Sequence, residues 1–238
     1  MKFLIQTINK KIEHEFAFTL LKAIEFNNWL KPNSIKFKLT DEKLFPNYIP
    51  IGSIEFVENY LLTYFNIKLK PLNIPDSINH YKFTRRNVIN GTEKDIYGKK
   101  FVKSNDIIKF KINDVDFTGI YDENNIKDIP QGNYQISDVI DIQSEWRAFV
   151  YENKLVGLQN YLGDFTIFPD INLIKEMIIE YNDAPIAYSL DVGVNYQHTF
   201  IIECHRFYST GFYGFADLRN IPFMFSKAFY EMLKIIKR

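Results

Sequence analysis

Near residue 76 the hydrophobic period of this chain changes, and that change limits the folds open to it. Before it, short alternating runs lead into stretches with an apolar residue every three or four positions; after it, alternation dominates. The run "KFLIQTI" (2–8) reads as a strand. "EFAFTLLKAIEFNNWL" (15–30) reads as a helix with Phe16, Leu20, Ala23, Ile24 and Leu30 on one stripe. "SIKFKLTDE" is a further strand, and "GSIEFVENYLLTYF" a second helix that Ser53 can N-cap, with Ile54, Val57, Leu61, Leu62 and Phe65 facing inward. "IKLKPLNIPDSIN" carries Pro71 and Pro75 and no period, so it separates a small α/β domain (1–75) from a larger domain (76–238).

The larger domain reads as antiparallel strands with interspersed helices, an α+β arrangement. "KKFVKS", "IIKFKI" and "VDFTGIY" are strand runs with a tight turn at Asn113–Asp114, and "NYQISDVID" is another. "SEWRAFV" and "LVGLQNY" flank a turn at "YENK", a hairpin. A helix follows in "PDINLIKEMIIEYND", with Asp170 as its cap and Ile171, Ile174, Ile178 and Tyr181 recurring. "IAYSLDVGV" and "TFIIECHRF" form the last strand pair, and Pro222 opens a closing helix.

Two polar residues interrupt the last of these strands. In an extended chain Glu203 and His205 point to one face, with Thr199 and Ile201, while Ile202 and Cys204 point to the other. A hairpin loop centred near Gln197 sets Asp191 opposite Glu203. Two carboxylates so close repel unless a cation lies between them, and an oxygen-rich donor set suits magnesium or manganese. The same alternation also describes a sheet with one wet face, and spacing alone does not decide between the two.

Lys99, Lys100, Lys103, Lys109 and Lys111 form a basic cluster in which a lysine at a strand end can serve as a point charge for phosphate or simply be solvated. Arg147 shares a strand face with Glu145 and Phe149. In mid-strand its charge needs a carboxylate or phosphate partner. No Walker-type or dinucleotide glycine motif is present, nor a Gly-x-Ser-x-Gly nucleophile. Twenty-nine basic residues balance twenty-nine acidic ones, which argues against nucleic acid or an anionic membrane surface as partner. The single cysteine, Cys204, excludes a disulfide framework and a multi-cysteine zinc site. The apolar patch in "MKFLIQTINKK" is too short for a signal-peptide core or a spanning helix, so a cytoplasmic location is expected.

In order, "IPIGSIEFV", "FVKS", "SEWRAFV", "YSLDVGV" and "IIECHRF…GFYGF" resemble the ATP-grasp ligases, and most closely their small phage and bacterial clade marked by one arginine and two lysines. The resemblance implies an ATP-dependent carboxylate–amine ligase that forms an amide through an acyl phosphate. It implies two α+β subdomains (about 76–140 and 141–238) holding the nucleotide behind the N-terminal domain. By the same resemblance Lys103 contacts phosphates, with Lys109 or its rival Lys111 as the second lysine. The backbone of Asp138, Val139, Ile140 and Asp141 reads adenine, with Asp138 or Asp141 near the ribose, and Arg147 steadies the transferring phosphoryl group. Asp191, Glu203 and His205 fall where these ligases hold Mg2+. The usual third ligand there is asparagine, so His205 departs from the pattern and favours Mn2+ or does not bind. Ser53, Arg206, Ser209 and Gly211 stand at the substrate end of the cleft, where a carboxylate and an amine acceptor, either small molecules or a peptide or protein, would meet. The alternatives are a degraded relative that acts as a binding module, and a metal-dependent hydrolase using Asp191, Glu203 and His205.

Overall fold

The computed structural model describes residues 1–107, 111–112, 115–116, 118–122, 129–196 and 198–234. The first residues form β1 (Lys2–Gln6), α1 (Glu15–Leu30), β2 (Lys36–Thr40), β3 (Ile49–Ile51) and α2 (Ile54–Phe65), with a parallel sheet in the order β2-β1-β3. α1 buries Phe16, Ala17, Leu20, Ala23 and Ile24, whereas Leu30 of the expected stripe is exposed. α2 starts at Ser53, whose hydroxyl accepts a hydrogen bond from Phe56 N at 3.2 Å, as an N-cap should. Its inward stripe is Phe56, Val57, Tyr60 and Leu61, and not the expected Ile54, Leu62 and Phe65; Leu62 and Phe65 face solvent. Only Val57 and Leu61 were common to both stripes: Glu55, Glu58, Asn59 and Thr63 mark the polar side, and the buried stripe lies opposite them, with Ile54 and Phe65 toward its edge and Leu62 among the polar residues.

The chain continues through α3 (Tyr81–Thr84), β4 (Val88–Thr92), β5 (Lys100–Ser104), β6 (Lys111–Ile112), β7 (Val115–Asp116), β8 (Gly119–Tyr121) and β9 (Asn133–Asp138). β4, β9, β5 and β8 make an antiparallel sheet in that order, and β6 pairs with β7. The expected turn at 113–114 lies outside the described residues. A second antiparallel sheet, β11-β10-β12-β13, is built from β10 (Ser144–Tyr151), β11 (Lys154–Gly163), β12 (Ala187–Val194) and β13 (Thr199–Arg206). The β10–β11 turn places Glu152 and Asn153 at φ 49° and 58°, the left-handed pair that a two-residue hairpin requires. α4 (Ile171–Glu180) is capped by Asp170 and α5 (Ile221–Met232) opens with Pro222.

Two cores meet on either side of this second sheet. Trp146, Ala148, Val150, Leu190, Val192, Ile201 and Cys204 pack with α4 and with Ile78 and Phe83. On the opposite face Phe149 joins Phe207, Phe212 and Phe215 in a core that runs through α5, α1 and α2 to the three-stranded sheet. Ile201 was expected beside Glu203; a register shift between Asp191 and Val192 adds a residue to β13, which turns Ile201 to the Cys204 side. No helix among the described residues is long and apolar enough to cross a membrane.

Phe149 is fully buried and stacks on Phe215, with ring centroids 4.2 Å apart and planes 8° apart. Phe149→Ala is expected to destabilise the protein by about 3–5 kcal/mol, read as a lower urea midpoint.

Candidate active site

The polar half of the sheet face begins one step along from Phe149. Register places Arg147 opposite Asp191, Asp191 opposite Glu203, and Ser189 opposite His205. Three neighbouring strands therefore present Arg147, Asp191, Glu203 and His205 in one patch, as the alternation of β13 led us to expect for its last two.

Arg147 and Asp191 are 8% and 1% exposed, and a buried charge of this kind is tolerable only when paired. The guanidinium grips the carboxylate with both arms: Nε donates to Oδ1 at 2.8 Å and Nη2 to Oδ2 at 2.7 Å. Nη1 donates to Thr210 Oγ1 at 3.0 Å and to the Gly211 carbonyl at 3.2 Å. A guanidinium has five N–H groups, so one N–H on Nη2 remains for a ligand. Tyr161 and Tyr213 stack on each other (centroids 5.1 Å apart), and Arg147 lies 5.6 and 5.2 Å from their rings. The Tyr161 hydroxyl donates to Glu145 at 2.6 Å. Tyr161 was not read from the sequence, and Thr210 and Tyr213 were expected at the substrate end only as part of the 209–215 stretch, with no contact to Arg147 assigned. A signal was present in "STGFYGF", where a hydroxyl precedes a glycine whose carbonyl is free to turn inward.

The loop that carries Thr210 and Gly211 is fixed from the N-terminal side. Ser209 Oγ donates to the Gly52 carbonyl at 2.6 Å, and the Phe212 and Tyr213 amides both donate to Glu15 Oε1. Gly211 thus acts through its backbone. Ser53, with its hydroxyl engaged at the α2 cap and its amide on Gln6 Oε1, sits behind Ile54, which does line the cleft.

Lys103 crosses from β5 to pair with Glu203. His205 Nε2 stands 3.2 Å from Glu203 Oε2 and 3.5 Å from Asp191 Oδ2. Burial alone would raise both carboxyls. The hydrogen bonds from Arg147 and His205 outweigh it at Asp191, and the charges of His205 and Lys103 outweigh it at Glu203, so both stay below the usual carboxylate range. Desolvation would lower the His205 pKa, but the Glu203 charge and the Asp191 contact push it up to about 9.

Asp191, Glu203 and His205 each offer a ligand atom, all within 4.8 Å of one another. Two carboxylate oxygens and one imidazole nitrogen at that spacing fit a divalent cation, with manganese accepting the nitrogen more readily than magnesium. Cys204 faces the other way; burial pushes its thiol well above the ordinary range, which suits a core residue.

Lys103, Arg147, Glu203, His205, Arg206, Ser209 and Thr210 line one cavity of about 470 Å³. Asp138, Val139 and Ile140 instead line a second cavity of about 420 Å³ with His80, Arg86 and Asn87. The Asp138 carboxylate pairs with Lys100, directly opposite it in register, on the face of Val102 and Ile136 and away from Lys103. Lys109 lies outside the described residues, and Lys111 is placed only by its backbone in β6. Asp141 lines neither cavity.

Two outcomes follow from the charges. In metal-free protein the His205 imidazole should titrate near pH 9 by NMR and move toward its ordinary 6.5 in Glu203→Gln. Because the folded value is the higher one, its stabilising contribution is complete below 6.5 and fades as pH rises through about 9. Second, Lys103 and Arg147 already offset both carboxylates, so a bare divalent cation meets no net negative charge. Lys103→Met should bind manganese about tenfold more tightly than wild type in the absence of nucleotide, by calorimetry; equal affinity would show that the lysine does not oppose the ion.

Comparison with known proteins gives the family and the fold. The family model "ATP-grasp domain, R2K clade family 2" matches residues 83–221, more than half of the chain. No curated protein matches it significantly in sequence. Among solved structures, the fold is similar to a D-cycloserine synthetase (TM-score 0.56, 10% identity, covering 98% of this chain and 100% of the other). It is also similar to D-alanine–D-alanine ligase from Bacillus anthracis complexed with ATP (0.54, 11%, 99% of each chain). A RimK domain ATP-grasp protein from Sphaerobacter thermophilus gives 0.50 at 11% identity, covering 98% and 99%. With its α+β architecture and the residues matched, the chain belongs to the R2K clade of the ATP-grasp ligase family.

Proposed function

We propose that this protein is an ATP-dependent carboxylate–amine ligase that makes an amide or peptide bond through an acyl phosphate. The observation that carries the reading is the convergence of Lys103, Arg147, Glu203 and His205 on one cavity, with Asp191 beneath them. The ATP-grasp fold binds ATP, and this constellation suits its phosphates. Residues 1–75 serve as the N-terminal domain and 76–238 as the ATP-grasp domain, with the backbone of 138–141 toward adenine and Lys109 as a second phosphate contact.

Asp191, Glu203 and His205 would hold Mg2+ or Mn2+, and a cation there would offset charge on the phosphate oxygens. Arg147 is a fixed positive charge that presents one N–H to the transferring group without having to reorganise. Lys103 is the mobile partner; when it leaves Glu203 for a phosphate, the carboxylate becomes available as a ligand. Positioning and electrostatics suffice for phosphoryl transfer, which accounts for the absence of an activated serine or cysteine around the described cavity. A metal-dependent hydrolase would leave the reach of Lys103 into the cavity without a purpose, and a degraded relative would have no reason to keep Glu203 with it; the Arg147–Asp191 pair serves the sheet under every reading. Ser53, Arg206, Ser209 and Gly211 form or support the substrate end, where a carboxylate and an amine, free or on a peptide, are joined.

Calorimetric titration with a non-hydrolysable ATP analogue tests this. Wild type is expected to bind it with magnesium or manganese, and chelator or Glu203→Ala should weaken binding by at least about tenfold. Folded wild-type protein that binds no analogue under any of these conditions would exclude the ligase.

A further inference from the structure

Four long cationic side chains line the main cavity: Lys70, Lys103, Arg147 and Arg206. Three have a carboxylate partner. Lys70 pairs with Asp106 at 2.9 Å, Lys103 with Glu203, and Arg147 with Asp191. Arg206 makes no ion pair among the described residues, and its Nε is buried without a hydrogen-bond partner. Leaving a buried charged donor unmade is costly, and the planar guanidinium fork matches a carboxylate arm for arm.

The position of Arg206 distinguishes it from the phosphate-facing groups. It closes β13 opposite Tyr188, and alternation sends it to the opposite side of the strand from Glu203 and His205. β13 is an edge strand, so the cavity wraps round it past Lys70, Pro71, Leu72 and Asn73. The hydroxyls of Tyr181 and Tyr208 feel the Arg206 charge, and Tyr208 also feels Glu55 and Glu58. An anion on Arg206 is therefore separate from the one that must sit between Lys103, Arg147 and the three candidate metal ligands.

We infer that the carboxylate substrate is a diacid: one carboxylate reacts beside Lys103 and Arg147, and a second is held by Arg206, which selects for it. This rests on the ligase reading and narrows its substrate class. The second carboxylate is that of a small dicarboxylic acid.

The test is calorimetry on protein saturated with the ATP analogue and manganese, titrated with succinate, glutarate and adipate and with monoacids of matching chain length. At least one diacid should bind about tenfold or more tightly than its monoacid. That advantage should vanish in Arg206→Gln and partly return in Arg206→Lys, with analogue affinity within about twofold of wild type in both. Equal binding of diacids and monoacids, no binding of either, or a preference that survives in Arg206→Gln would overturn the inference while leaving the ligase standing. A tenfold or so loss of analogue affinity in Arg206→Gln would make Arg206 a nucleotide contact and also overturn it. Failure of wild type to bind the analogue at all would instead remove the ligase reading, and this inference with it.

Discussion

The bidentate pair between Arg147 and Asp191 is the interaction on which the rest of the site depends. Both groups sit within a sheet, nearly out of reach of water, and a charge there is tolerable only opposite its partner. Slipping β10 against β12 by one residue would turn one of the two charges into the core formed by Ala148, Leu190 and Cys204 and leave the other without its partner. The pair therefore fixes the strand register, and the register fixes everything placed by cross-strand geometry: Glu203 beyond Asp191, and His205 beyond Ser189.

From that patch the structure is tied outward to the other sheet. Lys103 spans from β5 to Glu203, and the segment before α3 makes a second bridge. Asn73 accepts from the Cys204 amide at 2.7 Å and donates to the Ser104 carbonyl at 2.9 Å. Ile74 exchanges two hydrogen bonds with the Gln135 side chain, at 3.0 and 2.9 Å. The side-chain amides of Asn73 and Gln135 thus stand in for strand pairing between two sheets that do not themselves join. The bridge passes beside the cavity, so the spacing of its walls is set by neutral amides, while the ion pair between Lys103 and Glu203 can be exchanged for ligand contacts.

The parts of the site that obey strand alternation were legible in the sequence. Arg147 and Phe149 on one face, Trp146 and Cys204 on the other, and Asp191 against Glu203 all follow from a period of two and a hairpin. Ile201 escaped that rule because one inserted residue in β13 reverses everything on the loop side of it, and a bulge leaves no clear trace in "TFIIECHRF". Thr210, Gly211 and Glu15 escaped it because they meet Arg147 or its loop over long sequence separations and outside any strand pairing: Thr210 through its hydroxyl, Gly211 through its carbonyl, and Glu15 through a carboxylate that accepts from the loop's backbone amides. Ser53 shows the opposite case: its capping role was readable from local pattern, and that role engages the hydroxyl at the helix end.

The loop after β13 joins stability to chemistry. Phe207, Phe212 and Phe215 fill the core beneath Phe149, and between them Thr210 and the Gly211 carbonyl orient Arg147. Gly157 on the neighbouring strand has to lack a side chain, because a Cβ there would lie 2.4 Å from the Phe215 ring. The aromatic anchors hold both ends of the hydrogen-bonded stretch, so the guanidinium cannot turn without disturbing the core. A site that stabilises developing charge gains from this arrangement, since the cost of orienting the dipoles and the charge is met on folding and not at the moment of reaction.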